Sequence, residues 1–216
     1  MSETSVLPLF LLPLVACPGE PVALHIFEPR YKEMIARCRE REEAGAERSF
    51  AIFCSDGEEL APVGCTVRIA RVLKEYEDGR SDILTMGLQR CRLVERLSEA
   101  SYDTGRVQYL HDTTTDWDAD LATRAFSLHK ALIEAVTGAA PDDDTYSGHT
   151  SLSFFLAPSC GLTARAKNAL LELRTEDERL EALTQQMELL LPQIDTVLTT
   201  MRSIAGSWEV RKLRDV

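Results

Sequence analysis

Lysine is scarce in this chain, and the dipeptide Gly-Lys never occurs. The five lysines stand at 32, 74, 130, 167 and 212, so no Walker-type loop can cradle a nucleotide phosphate and place a lysine on it. Six cysteines, at 17, 38, 54, 65, 91 and 160, include no C-x-x-C pair, and no His or Cys is spaced to complete a zinc site. The four histidines, 25, 111, 129 and 149, sit in no H-E-x-x-H or G-x-S-x-G context. Aromatic residues make up only 6% of the chain, and the stacking pattern of RNA-binding sheets is missing. Positive charge is outnumbered: 24 Lys and Arg face 35 Asp and Glu, a net of −11. Such a chain is repelled by phosphate backbones unless its cations cluster.

Long apolar runs are also missing. Val6 to Cys17 is the most apolar stretch near the start, but Pro8 and Pro13 interrupt it. Glu3, and no Lys or Arg, precedes it. These flanks oppose a secretory signal, and the run is too short to cross a bilayer. It reads as a buried first strand. The cysteines read as reduced, mostly buried thiols, which places the chain in the cytoplasm.

What is present reads first as strands. Val6–Phe10 and Pro21–Phe27 are extended apolar segments. Ser49–Cys54 (SFAIFC) is a short apolar run, the signature of a strand buried on both faces. Cys65, Val67 and Ile69 alternate with Thr66, Arg68 and Ala70, the pattern of a half-buried strand. Asp78–Gly79 predicts a tight hairpin in which both central residues take positive φ. Ser81–Met86 would be the return strand. Gly87 suggests a bulge before Leu88–Leu97, and Gly105–Leu110 closes the set. One helix interrupts them, from Pro29, with Tyr31, Met34, Ile35 and Cys38 on one face and Gly45 as its stop.

Beyond residue 111 the period changes to that of helices. Asp116 or Asp118 caps a helix reaching Thr137, with Gly138 behind it and Leu121, Ala125, Leu128, Leu132 and Val136 as its stripe. Ser151–Leu156 starts a second, stopped near Pro158. Thr163 caps a third. Thr175 and Glu178 form a capping box for a fourth, which Pro192 must kink or restart. The chain therefore divides into a β module, 1–112, and a helical module, 113–216. The join, HDTTTDWD at 111–118, lacks Gly and Pro and is a poor flexible linker, with Trp117 expected to pack there.

Several segments resemble one known family. They are LPLFLLP at 7–13, Pro18–Gly19, and LHIFEPRY at 24–31. PVGCTV at 62–67, Asp78–Gly79, MGLQRCRL at 86–93 and Asp177-Glu178-Arg179-Leu180 follow. In this order and spacing they resemble the N-terminal, substrate-binding domain of the ATP-dependent protease Lon, and especially its stand-alone bacterial versions. The resemblance implies an α+β fold: a PUA-like, six-stranded, partly closed barrel with one helix, then a C-terminal helical bundle. It implies binding of unfolded or partly folded polypeptides, in concert with a protease or chaperone. Nothing in these 216 residues resembles the Lon ATPase or its Ser-Lys peptidase, so neither enzymatic activity nor a cofactor is expected of them.

Candidate site residues follow from both readings. Phe27, Glu28, Pro29, Arg30 and Tyr31 carry the family motif, and a structural role suits them. Glu28 fits a helix start, where the macrodipole favours a carboxylate, with Arg30 pairing nearby. Phe27 and Tyr31 would pack between barrel and helix. Arg68, Arg71, Arg90 and Arg92 form a candidate RNA-facing set on the hairpin strands. Glu75, Glu77, Asp78, Asp82 and Glu95 interleave with them and weaken that footprint. Asp142–Asp144 lacks the alternating ligands of a calcium loop and reads as a solvated acidic loop.

Overall fold

Six strands make one mixed sheet in the computed structural model, which describes residues 3–43, 49–57, 59–97, 101–114 and 116–212. The strands are β1 (Thr4–Leu12), β2 (Pro21–Ile26), β3 (Ser49–Cys54), β4 (Val63–Glu75), β5 (Ser81–Leu97) and β6 (Thr104–Tyr109). Their order is β2-β5-β4-β3-β1-β6, and β6 also pairs with β5. That second pairing closes β5, β4, β3, β1 and β6 into a ring. Only β1 with β3 is parallel; every other pair is antiparallel. β2 hangs on the first half of β5, from Pro21 opposite Met86 to Ile26 opposite Ser81.

Ring closure depends on the length of β5. Its first half pairs with β2 and its second half with β6, while β4 follows most of it. The expected break at Gly87 is therefore a bulge inside one strand: Thr66 faces Gln89 but Val67 faces Gly87. A Cβ at Gly87 would lie 1.9 Å from the Cys17 carbonyl oxygen, so the glycine admits a crossing backbone. The hairpin at Asp78–Gly79 has a different turn from the one expected. Among the described residues only glycines take positive φ, and Gly79 is at 79°. Gly79 N donates to Tyr76 O (2.9 Å) and Tyr76 N to Arg80 O (2.9 Å). This is a three-residue loop ending on a left-handed glycine.

β3 is buried on both faces as its composition implies. Phe50 and Ile52 join Phe10, Tyr31, Met34, Ile35, Val67 and Ile83 in one core, beneath helix α1 (Pro29–Glu43). Ala51 and Phe53 join Leu7, Leu9, Cys91 and Val107 in a second. All six cysteines are free, five of them buried. Burial pushes the Cys17, Cys91 and Cys160 thiols up to about 12, which leaves them protonated and inert. The expected stop at Gly45 lies outside the described residues.

The chain separates into two units: Met1–Thr115 with Leu162–Glu176, and Asp116–Gly161 with Asp177–Val216. The first break falls near the 112/113 division, but the segment carrying α4 (Ala164–Glu172) belongs with the barrel. Arg90 shows why. Its guanidinium is 3% exposed, donates to Leu171 O (2.9 Å) and Leu173 O, and pairs with Asp112. Lys167 reaches Glu20 at 2.7 Å, both nearly buried, and Glu20 in turn accepts Cys17 N at 2.8 Å.

The second unit is helical. In α2 (Ala119–Thr137), Asp118 accepts from Asp120 N and Leu121 N, and Gly138 closes it at φ 82°. Its buried residues are Ala125, His129 and Leu132, while Val136 is exposed. α3 (Leu152–Leu156) follows, and α5 (Glu176–Lys212) supplies Leu180, Leu183 and Met187 to the core. α5 does not restart at Pro192. Proline removes one rung of the ladder, but Glu188, whose carbonyl loses its partner, is exposed to water. No described helix is long and apolar enough to cross a membrane.

Candidate functional site

The family motif splits between interior and surface. Tyr31 is 2% exposed, its ring centroid 4.0 Å from that of Phe10, and its hydroxyl donates to Leu11 O. Pro29 opens α1, and Glu28 O accepts from Tyr31 N and Lys32 N. The Glu28 carboxylate takes Arg30 Nε at 2.8 Å. Phe27 departs from the expected packing role: it is 58% exposed. The reason is alternation. Val22, Leu24 and Ile26 point into the core, which turns Ala23, His25 and Phe27 outward.

This outward side is chemically distinct. His25 stacks on Phe27 with ring centroids 5.8 Å apart. His25 Nδ1 lies 2.5 Å from Asp82 Oδ1, and Tyr76 donates to Asp82 Oδ2 at 2.8 Å. These two bonds, that to His25 first, hold the Asp82 carboxyl below the usual carboxylate range. Ala23 stands opposite Leu84, and Pro21 opposite Met86. Leu84 and Met86 are half-buried between buried Ile83 and Thr85, so they share the outer face. The result is an apolar strip ending at an exposed aromatic. The H-x-F alternation at 25–27 carries a signal for it; the cross-strand register with Asp82 and Leu84 is long-range and carries none.

The four arginines do not form one patch. Arg68 stands opposite Met86 and Arg71 opposite Leu84, both exposed on β4. Arg92 lies further along β5, opposite Val63 and Gln108. Arg90 is buried and held by α4 carbonyls, so it faces no ligand. Its place in the set is corrected by a contact 81 residues away that no local pattern encodes.

Other polar clusters are committed to the fold. His129 Nδ1 meets Tyr146 Oη at 2.8 Å and its Nε2 meets Ser159 Oγ at 2.7 Å, but Ser159 Oγ also donates to Leu156 O. The cluster ties the 143–146 turn to α2 through His129 and the Lys130–Asp143 pair. A polar cleft at the end of β6 is lined by Glu3, His111, Asp112 and Arg174 among others. Asp112 serves Arg90 there, and Arg174 donates to His111 O. No group of three metal-binding side chains occurs among the described residues.

A closed ring of five strands thus carries one extra strand, with an apolar strip on its outer side. The family of the ATP-dependent protease La (LON) substrate-binding domain matches residues 6–188, and the chain belongs to that family. Lon protease 2 of Myxococcus xanthus is 29% identical over 123 residues, 53% of this chain and 14% of that protein. The chain thus matches a small part of that relative's length. A Lon N-terminal domain protein from Xanthomonas campestris superimposes with a TM-score of 0.64 at 24% identity, covering 83% of this chain and 96% of the other. The N-terminal domain of a Mycobacterium avium complex Lon protease gives 0.58 at 16%, covering 85% and 98%. At these identities the likeness is one of fold.

Proposed function

We propose that the chain recognises unfolded or partly folded polypeptide and performs no chemistry of its own, acting beside a protease or chaperone in a reducing compartment. The observation that carries this reading is the exposed Phe27–His25 stack at the end of the Ala23, Leu84 and Met86 strip. Water-exposed apolar side chains of this kind are a general means of holding chains that have lost their own cores. RNA is the competing ligand, because Arg68 and Arg71 line the same face and make no ion pair among the described residues.

Fluorescence anisotropy of labelled β-casein, with and without a single-stranded RNA competitor, tests the reading. Casein should bind, stay intact, and resist competition. Phe27→Ala should weaken binding about tenfold, the scale of an aromatic anchor. Absence of casein binding refutes the reading. Binding of RNA instead, lost in an Arg68→Glu, Arg71→Glu variant and kept in Phe27→Ala, transfers the face to nucleic acid.

A further inference from the structure

We infer that β2 is an acceptor edge, on which an extended segment of the bound polypeptide adds as a further strand. The inference rests on the polypeptide-binding reading above and specifies how the segment is held.

The five other strands each have two neighbours in the ring, whereas β2 pairs with β5 alone. β2 therefore has an edge without a strand neighbour along its whole length. The second half of β4, Ile69–Glu75, also pairs with β5 alone, but Arg71, Lys74 and Glu75 put charge on it. The direction of its backbone groups can be worked out. Gly87 N donates to Glu20 O at 2.9 Å, and the Thr85 hydroxyl donates to Val22 O at 2.9 Å. Both carbonyls face β5. In an antiparallel strand the groups of successive residues alternate in direction. The N–H and C=O of Ala23 and His25 therefore face away from β5, as does the carbonyl of Pro21. Proline sits where an outward N–H would otherwise stand, its permitted place on an edge.

These groups have no other backbone partner among the described residues. Only an extended main chain offers donors and acceptors at matching spacing. Sheet edges are commonly guarded by charged side chains. Pro21–Ile26 (PVALHI) contains no Lys, Arg, Asp or Glu, and its side chain at 23 is small enough for close approach. The Phe27 ring lies just past the end of the strand, on the face where an apolar side chain of the incoming segment would rest.

The test is amide hydrogen exchange by NMR on the whole chain, with β-casein as the probe. The Ala23 and His25 amides should exchange rapidly in the free protein and slow at least about tenfold on casein addition. Ala23→Pro removes an outward N–H and no internal bond. It should keep the melting temperature and bind casein about tenfold more weakly, the worth of one or two main-chain bonds. If casein binds and Phe27→Ala loses it, but both amides stay unprotected, edge addition is wrong while polypeptide binding stands. Protection that grows with protein concentration and without casein assigns the edge to a second copy and overturns the proposal. If casein does not bind at all, both readings fall together.

Discussion

Tyr31 and Phe27 are four residues apart in one motif, and the structure assigns them opposite consequences. Tyr31→Ala deletes a ring that is 2% exposed and packed at a tilt against Phe10 in the core under α1. Emptying such a site costs about 3–5 kcal/mol, from lost transfer energy and the cavity left behind. The hydroxyl contributes little of this. Its bond to Leu11 O is long, at 3.3 Å, so Tyr31→Phe should cost about 1 kcal/mol or less. For a chain of this length each kcal/mol lowers the melting temperature by about 2–4 °C. Tyr31→Ala should therefore melt about 6–20 °C below the parent. Phe27→Ala, at an exposed position, should stay within about 0.5 kcal/mol. Urea titrations followed by circular dichroism, with thermal melts alongside, give all three values. A Tyr31→Ala variant within about 1 kcal/mol of the parent, or a Phe27→Ala variant less stable than Tyr31→Ala, would refute the division of the motif.

Arg90→Ala should destabilise the protein by about 3 kcal/mol or more, since it removes a buried guanidinium that donates to the Leu171 and Leu173 carbonyls and pairs with Asp112; an unchanged urea midpoint contradicts this. A fragment ending at residue 112 lacks α4, Lys167 and the Leu171 and Leu173 carbonyls that receive Arg90. It should be poorly soluble, and a folded 1–112 fragment melting with the intact chain would disprove the assignment of α4 to the barrel. Burial lowers the affinity of His129 for a proton below its ordinary value of 6.5, amid Tyr146, Ser159 and Phe155. The unfolded chain then binds the proton more readily, so the contribution is complete above pH 6.5 and shrinks as pH falls below it. His129→Gln should flatten the loss of stability between about pH 7.5 and 5.5, and parallel profiles for parent and variant would argue against it.

Local signals fixed local structure. The run SFAIFC became β3 with its bounds intact, and Asp118, Gly138 and Thr163 cap the helices their chemistry suits. Each of these features is decided within a turn of the residue that encodes it. Phe27 and Arg90 were misplaced for the opposite reason. The exposure of Phe27 follows from which face of β2 meets the core, a matter of pairing with β5. Arg90 looks like another surface cation until α4 supplies carbonyls to it. Pro192 shows the limit of a local rule: one missing rung does not end a helix held by buried Leu180, Leu183 and Met187. The apolar strip was only half legible, since His25 and Phe27 are neighbours in sequence while Leu84 and Met86 are not.

The grouping of Leu162–Glu176 with the barrel also matters while the chain is being made. A ribosome adds about 5–20 residues per second. About sixty residues separate Thr115 from Glu176, so for about 3–12 s at that rate every strand has been polymerised but α4 has not. Throughout that interval the nascent barrel holds Arg90 without Leu171 and Leu173 to receive it. The intervening residues 116–161 belong to the other unit, so synthesis of one unit is suspended while part of the other is laid down. Barrel completion is thus deferred until most of the chain exists. A nascent-chain arrest series should find protease resistance of the strands arriving late, after α4 has cleared the exit tunnel, and not when β6 emerges.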